Sequence, residues 1–159
     1  MRFIKALFAL SLLAASAGSL DAQSPVSGGR AFGVEAGGGI VGSLAGVAVG
    51  LAISRPDLCG VDDLECTIKG LGAAGIGSVI GATAGTLIAG RSIGSRPSGI
   101  GAFVGSVAGA FAGVGLVHAM TEEANLKLEK PLTIAVYSLT QGIITALGSR
   151  FGASLRGSR

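Results

Sequence analysis

Residues 38–50 read GGIVGSLAGVAVG, with a glycine at every fourth position. Residues 101–113, GAFVGSVAGAFAG, repeat this spacing, and a third, shorter series occupies residues 77–85. Residues four apart lie on one face of an α-helix, so each series predicts a helix with a smooth groove that a second helix can approach closely. We therefore expect helix packing through the eleven glycines of the three series: Gly38, Gly42, Gly46, Gly50, Gly77, Gly81, Gly85, Gly101, Gly105, Gly109 and Gly113.

Each glycine series lies inside a run of sequence without Asp, Glu, Lys or Arg. These runs cover residues 36–54, 70–90 and 97–121, and a fourth, with weaker glycine spacing, covers residues 131–149. A helix of about 20 residues, rising 1.5 Å per residue, spans the ~30 Å hydrocarbon core of a bilayer. Short connections between the runs predict antiparallel hairpins. The expected fold is therefore all-α, with three to four membrane helices in hairpins with GxxxG (glycine-zipper) packing after a signal peptide.

The composition agrees with helices in a membrane. Glycine supplies 29 of the 159 residues, hydrophobic residues make up 49%, and charged residues make up only 13%. So much glycine leaves few side chains for a conventional water-soluble core, and so few charges are untypical of a disordered chain. Loss of Arg2, Lys5 and Asp21 with a signal peptide lowers the formal net charge from +3 to +2, which is too small to indicate nucleic-acid binding.

The N-terminal segment predicts export. A short basic start, MRFIK, precedes a twelve-residue apolar stretch at residues 6–17, which is too short to span a bilayer. This is the layout of a secretory signal peptide, with cleavage after Ala17 or Ala22, and an uncleaved N-terminal anchor is the alternative. We expect four segments: a signal peptide at 1–22, a short polar linker at 23–35, the glycine-zipper membrane domain at 36–150 and a basic C-terminal tail at 151–159.

Cys59 and Cys66 are the only two cysteines and lie in the first connection between runs. In an exported chain, two cysteines this close predict a disulfide that closes the loop, and two reduced thiols are the alternative. No histidine lies near them to complete a zinc site, and the acidic residues of the same loop do not have the spacing of an EF-hand. We expect no metal site.

No residue pattern indicates catalysis or a cofactor. Gly37, Gly39 and Gly42 match G-x-G-x-x-G, but a dinucleotide site also needs a preceding strand and a βαβ unit, which the sequence does not predict. His118 is the sole histidine and has no nearby nucleophile or carboxylate arranged as a catalytic group. Glu35, just before the first run, is expected to stabilise the positive N-terminal end of that helix. The chain is therefore predicted not to be an enzyme.

The three glycine series between Gly37 and Gly115, together with the signal peptide, resemble the bacterial glycine-zipper envelope proteins. That group includes proteins with a glycine-zipper two-transmembrane domain. The resemblance implies a small envelope protein, often of the outer membrane, that oligomerises or supports membrane integrity. Many members are lipoproteins, whereas this chain has no cysteine near the cleavage region.

The sequence thus predicts a structural or oligomerising membrane protein of the bacterial cell envelope, in the outer or the inner membrane. Its expected partners are membrane lipids and either further copies of itself or other membrane helices. A pore or channel formed by the oligomer is the alternative function. The orientation stays open, because a cleaved signal peptide would put the Arg91–Arg96 connection outside, against the positive-inside rule. Insertion from the periplasmic side, or passage to the outer membrane, would remove this conflict.

Overall fold

A computed structural model describes residues 28–54, 64–122 and 130–157 of the protein. These residues form four α-helices: α1 (Gly28–Ser54), α2 (Leu64–Ser92), α3 (Gly99–Glu122) and α4 (Lys130–Gly157). No strand occurs in the described ranges, so the predicted all-α class with three to four helices is confirmed. The predicted signal peptide and Cys59 lie outside the described residues, and so does the side chain of Cys66.

All four helices contain a segment long and apolar enough to cross a membrane. These segments have 24 to 27 residues and mean hydropathies between 1.3 and 2.0. Glycine costs a helix about 1 kcal/mol per residue relative to alanine, so propensity does not explain why such glycine-rich segments are helical. In hydrocarbon, an unpaired backbone N–H or C=O group costs several kcal/mol, and this penalty favours the helix despite its glycines.

Two helix boundaries differ from the expected domain limits. α1 begins at Gly28, eight residues before the expected start at Ala36, so most of the expected polar linker is helical. α4 continues past Arg150 to Gly157, into the expected tail. Both expected limits were set by a charged residue, but Glu35 and Arg150 pair with each other, and neither ends its helix. Glu35 lies two turns inside α1, so its expected role at the helix N-terminus is wrong.

The four helices form two antiparallel hairpins packed side by side. α1 and α2 make the most extensive contact and α3 and α4 the next, which defines the two hairpins. α1 packs against α4, and α2 makes smaller contacts with α3 and α4, which join the hairpins into a four-helix bundle. The start of α1, the α2–α3 connection and the end of α4 therefore lie at the same end of the bundle.

The bundle has a small, polar interior and an apolar exterior. Large hydrophobic side chains lie outside, as with Phe111, which is 76% exposed. In water such an exterior would expose many large apolar side chains, whereas in a bilayer it contacts lipid tails. Among the described residues, every buried hydrophobic side chain is an alanine, whereas ten buried residues are polar or charged: Glu35, Ser43, Ser78, Thr86, Ser98, Ser106, Ser138, Gln141, Thr145 and Ser149.

Candidate functional site

The glycine series at residues 38–50 and 77–85 hold α1 against α2. Gly42 faces Gly81, and Gly46 faces Gly77, with each glycine against the other's backbone carbonyl. The contact continues to one side with Gly38 against Gly85 and to the other with Gly50 against Ala73. A Cβ atom on any of these glycines would lie within 3.0 Å of the opposite backbone, closer than real Cβ atoms come. The two backbones therefore touch along four successive turns, which favours dispersion contacts and weak Cα–H···O bonds.

The remaining glycine series lies on α3 and faces α4, but its partners change along the helix. Gly101 meets Gly148, so glycine packs against glycine at this end of the hairpin. Further along, a Cβ on Gly109 would lie 2.9 Å from the Cα of Gln141, and one on Gly113 would lie 2.9 Å from the ring of Tyr137. The close approach of α3 and α4 therefore uses glycines on one side and a larger polar or aromatic residue on the other.

The eleven series glycines all face other helices of the same chain. Gly105, for example, contacts the backbone of Ile144 and Thr145 within the α3–α4 hairpin. By contrast, Gly33, Gly37 and Gly115 lie outside the series, and no atom of the described residues lies within 4 Å of a Cβ added to them. The structure thus supplies an intramolecular partner for every predicted packing glycine, so these residues are already occupied before any second copy binds.

Gln141 on α4 joins all four helices at a buried polar cluster. Its side-chain oxygen accepts a hydrogen bond of 2.6 Å from Ser43 Oγ on α1. Its side-chain nitrogen donates to the backbone oxygen of Ser106 on α3 at 3.2 Å and lies 3.4 Å from Ser78 Oγ on α2. Gln141 and these three serines are fully buried. One amide group therefore connects α4 to each of the other three helices.

Further hydrogen bonds complete this cluster. Ser106 Oγ donates to the backbone oxygen of Val79 at 2.9 Å, which ties α3 to α2. Ser78 Oγ and the hydroxyl of Tyr137 are 2.8 Å apart, and Ser43 Oγ also lies 3.3 Å from Ser138 Oγ. Hydrogen bonds between membrane helices are worth roughly 0.6 kcal/mol each on average, and an unpaired buried group costs more than that. The cluster therefore favours one relative position of the four helices.

Sequence reasoning missed this cluster, although a signal for it exists. The serines are separated by long stretches of chain, and each looks unremarkable in a run of Gly, Ala and Ser. Each of the three glycine series nevertheless contains a Gly-Ser pair, at Gly42-Ser43, Gly77-Ser78 and Gly105-Ser106. A serine that follows a packing glycine on a membrane helix lies next to the helix–helix contact. The repetition of this pair therefore indicates a shared polar layer.

An ion pair closes the bundle near one end. Arg150 Nε on α4 donates to Glu35 Oε2 on α1 at 3.2 Å, and Ser95 Oγ donates to Glu35 Oε1 at 2.5 Å. Glu35 is only 2% exposed, and the Arg150 guanidinium also lies over the ring of Phe32, 5.9 Å from its centre. Gly94, with φ of 74°, makes the turn after α2 that brings Ser95 to the carboxylate. The first helix, the last helix and the middle connection are thus joined at one carboxylate.

Charged side chains lie near both ends of the described bundle. Arg30, Arg91 and Arg96 lie exposed at the same end as the Glu35–Arg150 pair, and we call this the arginine end. At the opposite end, His118 and Glu122 form a long contact of 3.9 Å between two side chains that are each 69% exposed. Such an exposed pair adds little stability. For an inner-membrane protein, the positive-inside rule predicts that the arginine end faces the cytoplasm.

Comparison of the chain with protein families, curated proteins and solved structures finds no match. Within residues 28–54, 64–122 and 130–157, no group of three or more His, Cys, Asp or Glu side chains is arranged to hold a metal ion. The notable chemistry of the described bundle is therefore its backbone-to-backbone packing, its central amide and its buried ion pair.

Proposed function

We propose that the protein is a structural membrane component of the bacterial cell envelope, folded as a self-contained bundle of four spanning helices. The observation that carries this proposal is the reversal of polarity between interior and exterior. Apolar side chains such as Ile53 and Phe111 cover the outside, whereas Gln141 and its serine partners fill the centre. This distribution suits a hydrocarbon solvent, in which apolar groups face lipid and polar groups bind one another.

The packing contacts support a scaffold role more than a zipper between separate molecules. Every series glycine is used within the chain, so self-association or binding to other membrane helices would use the outer faces of the bundle. The bundle then presents a stable apolar wall to its neighbours, held in one shape by glycine contacts and by the polar cluster. Support of membrane integrity through such contacts is the role we propose.

Fractionation of cells that produce the native chain tests the membrane placement. We expect the protein to remain in the membrane pellet after extraction with alkaline carbonate, which releases peripheral proteins. Separation of inner and outer membranes then identifies which one holds it, and crosslinking before extraction reports self-association. Recovery of the protein in the soluble fraction after carbonate treatment would contradict the proposal.

A pore is the second candidate function, and the buried polar residues favour it. Water and ions cross membranes along polar side chains, and the interior of this bundle is lined by them. At the level of Gln141, however, direct hydrogen bonds of 2.6 Å and 3.2 Å join the helices across the centre, which closes that level in the bundle. A conducting form would need these bonds to open, or several bundles to surround a shared channel.

Conductance of the purified protein in planar bilayers separates the two candidates. We expect no channel events above those of protein-free bilayers. If channels appear, the variant Gln141→Leu shows whether they run through the bundle centre, because loss of the amide would change the conductance of that path alone. Channels that are present in the native protein and altered by Gln141→Leu would favour the pore over the scaffold.

A further inference from the structure

An apolar groove lies between α3 and α4 on the outer face of the arginine end. Ile100 and Val104 of α3 form one wall, and Phe151 and Leu155 of α4 form the other. All four side chains are exposed. The floor includes glycines from both helices, where the absence of side chains lowers the surface, and the open groove has a volume of about 310 Å³. This volume lies at the lower end of the range for pockets that hold small ligands, ~300–1,000 Å³.

Two arginines stand close in sequence to residues that line this groove. Arg96 stands two residues before Ser98, which also lines the groove, and Arg150 immediately precedes the wall residue Phe151. Arg150 is half-buried and engaged with Glu35, whereas Arg96 is exposed. Guanidinium groups bind phosphate oxygens through directed, charge-assisted hydrogen bonds. The groove therefore combines an apolar lining with an exposed guanidinium side chain two residues along the chain from Ser98.

We propose that this groove binds one acyl chain of an anionic phospholipid, with the lipid phosphate held at the arginine end by Arg96. The apolar walls contact the acyl chain, and the negative headgroup neutralises part of the local positive charge. This inference rests on the membrane placement given under the proposed function. It adds a specific lipid partner, whereas the scaffold role needs only a bilayer of any composition.

Charge also separates this occupant from a second copy of the chain. Copies inserted in the same orientation and paired through this groove would bring two arginine ends side by side. Like charges repel, so this pairing would cost electrostatic energy. An anionic headgroup instead brings opposite charge to the same place, at roughly 1 kcal/mol per arginine near the membrane surface. The phospholipid is therefore the occupant that the charges favour.

Native mass spectrometry of the purified full-length protein tests the proposal. The protein, in a neutral detergent, is mixed with equal amounts of phosphatidylglycerol and phosphatidylcholine that carry the same acyl chains. We expect the native protein to retain phosphatidylglycerol preferentially. In the variant Arg96→Gln, the ratio of retained phosphatidylglycerol to retained phosphatidylcholine should fall about fivefold. The variant Lys69→Gln, an exposed cation at the opposite end of the bundle, is the matched control and should retain the full preference.

A second pair of variants tests the groove itself. Val104→Trp would fill it and should lower retention of both lipids, whereas Val114→Trp changes an equally exposed valine of α3 outside it and should not. Equal retention of the two lipids by the native protein would overturn the proposal, and so would an unchanged preference in Arg96→Gln. A change of oligomeric state in Val104→Trp with unchanged lipid retention would assign the groove to a second copy. These results differ from failure of membrane placement, which carbonate extraction measures separately.

Discussion

The same substitution at two positions of α1 should change stability in opposite directions. Gly37→Ala and Gly42→Ala each add one methyl group, five residues apart on the same helix. Within the described part of the chain, nothing lies within 4 Å of a Cβ on Gly37. A Cβ on Gly42 would lie 2.7 Å from the carbonyl carbon of Gly81 and 3.2 Å from the Cα of Gly85. The backbone of α2 can yield at Gly81 only if the two helices separate.

The magnitudes follow from two opposing terms. Alanine stabilises a helix interior by roughly 1 kcal/mol relative to glycine, so Gly37→Ala should raise the free energy of unfolding by up to that amount. Overpacking costs about 1–3 kcal/mol, and we expect the upper end for Gly42→Ala because separation there also disturbs the contacts at Gly38 and Gly46. After the gain in helix propensity, Gly42→Ala should destabilise the protein by roughly 2 kcal/mol.

Reversible unfolding of the purified protein in detergent micelles, with increasing fractions of sodium dodecyl sulfate, measures both variants against the native chain. Circular dichroism would monitor the unfolding, and the midpoint should rise for Gly37→Ala and fall for Gly42→Ala. If both midpoints rise, the backbones of α1 and α2 do not touch at Gly42, and the packing derived for this hairpin is wrong. If both fall by equal amounts, the substitutions act through some property other than the α1–α2 contact.

Three further predictions use the same unfolding assay. Gln141→Leu should destabilise the protein by about 2 kcal/mol, because Ser43 loses its 2.6 Å partner and keeps only the longer contact of 3.3 Å with Ser138. Ser78 and Ser106 keep backbone carbonyl partners, and an unchanged midpoint would show that the cluster contributes nothing. Thr86→Val removes a buried hydroxyl that has no hydrogen-bond partner among the described residues, and it should stabilise the protein by about 1 kcal/mol. Thr145→Val removes a hydroxyl bonded at 2.7 Å and should not stabilise it; equal shifts would contradict this difference. Arg150→Met leaves the Glu35 carboxylate without its cation and should lower the free energy of unfolding by about 3 kcal/mol. This is the lower end of the range for a buried ion pair, because Arg150 is partly exposed. The double variant Arg150→Met with Glu35→Gln should recover part of the loss, and no recovery would refute the pairing.

The four helices could be predicted because each of the four runs is uncharged and, as a helix, about as long as the hydrocarbon core of a bilayer is thick. Their ends could not be predicted in the same way. Glu35 and Arg150 look like boundaries when each is considered alone, but together they form a pair that a helix interior can hold. A charge excludes a residue from hydrocarbon only when no opposite charge is nearby, and the distance between these two residues along the chain hides their contact.

The glycine spacing predicts which face of each helix packs, but not which helix it meets. Gly42 and Gly81 pack against each other within a hairpin, as the short connection between their helices favours. Gly105 instead packs against the backbone of Ile144 and Thr145 on α4. The fourth run has weak glycine spacing, yet α4 supplies Gln141, the residue that contacts every other helix. Its role depends on partners from three other segments, and periodicity within a single segment carries no information about them.

Labelling from within the lipid phase tests the central claim most directly. A photoreactive apolar probe dissolved in the bilayer should modify outer side chains such as Phe111, Ile53 and Ile100, and should leave Ser43 and Gln141 unmodified. A water-soluble hydroxyl-radical reagent should fail to modify those same outer side chains. The reverse pattern, with Phe111 and Ile53 modified only from water, would contradict a four-helix bundle that spans the membrane with its polar residues inside.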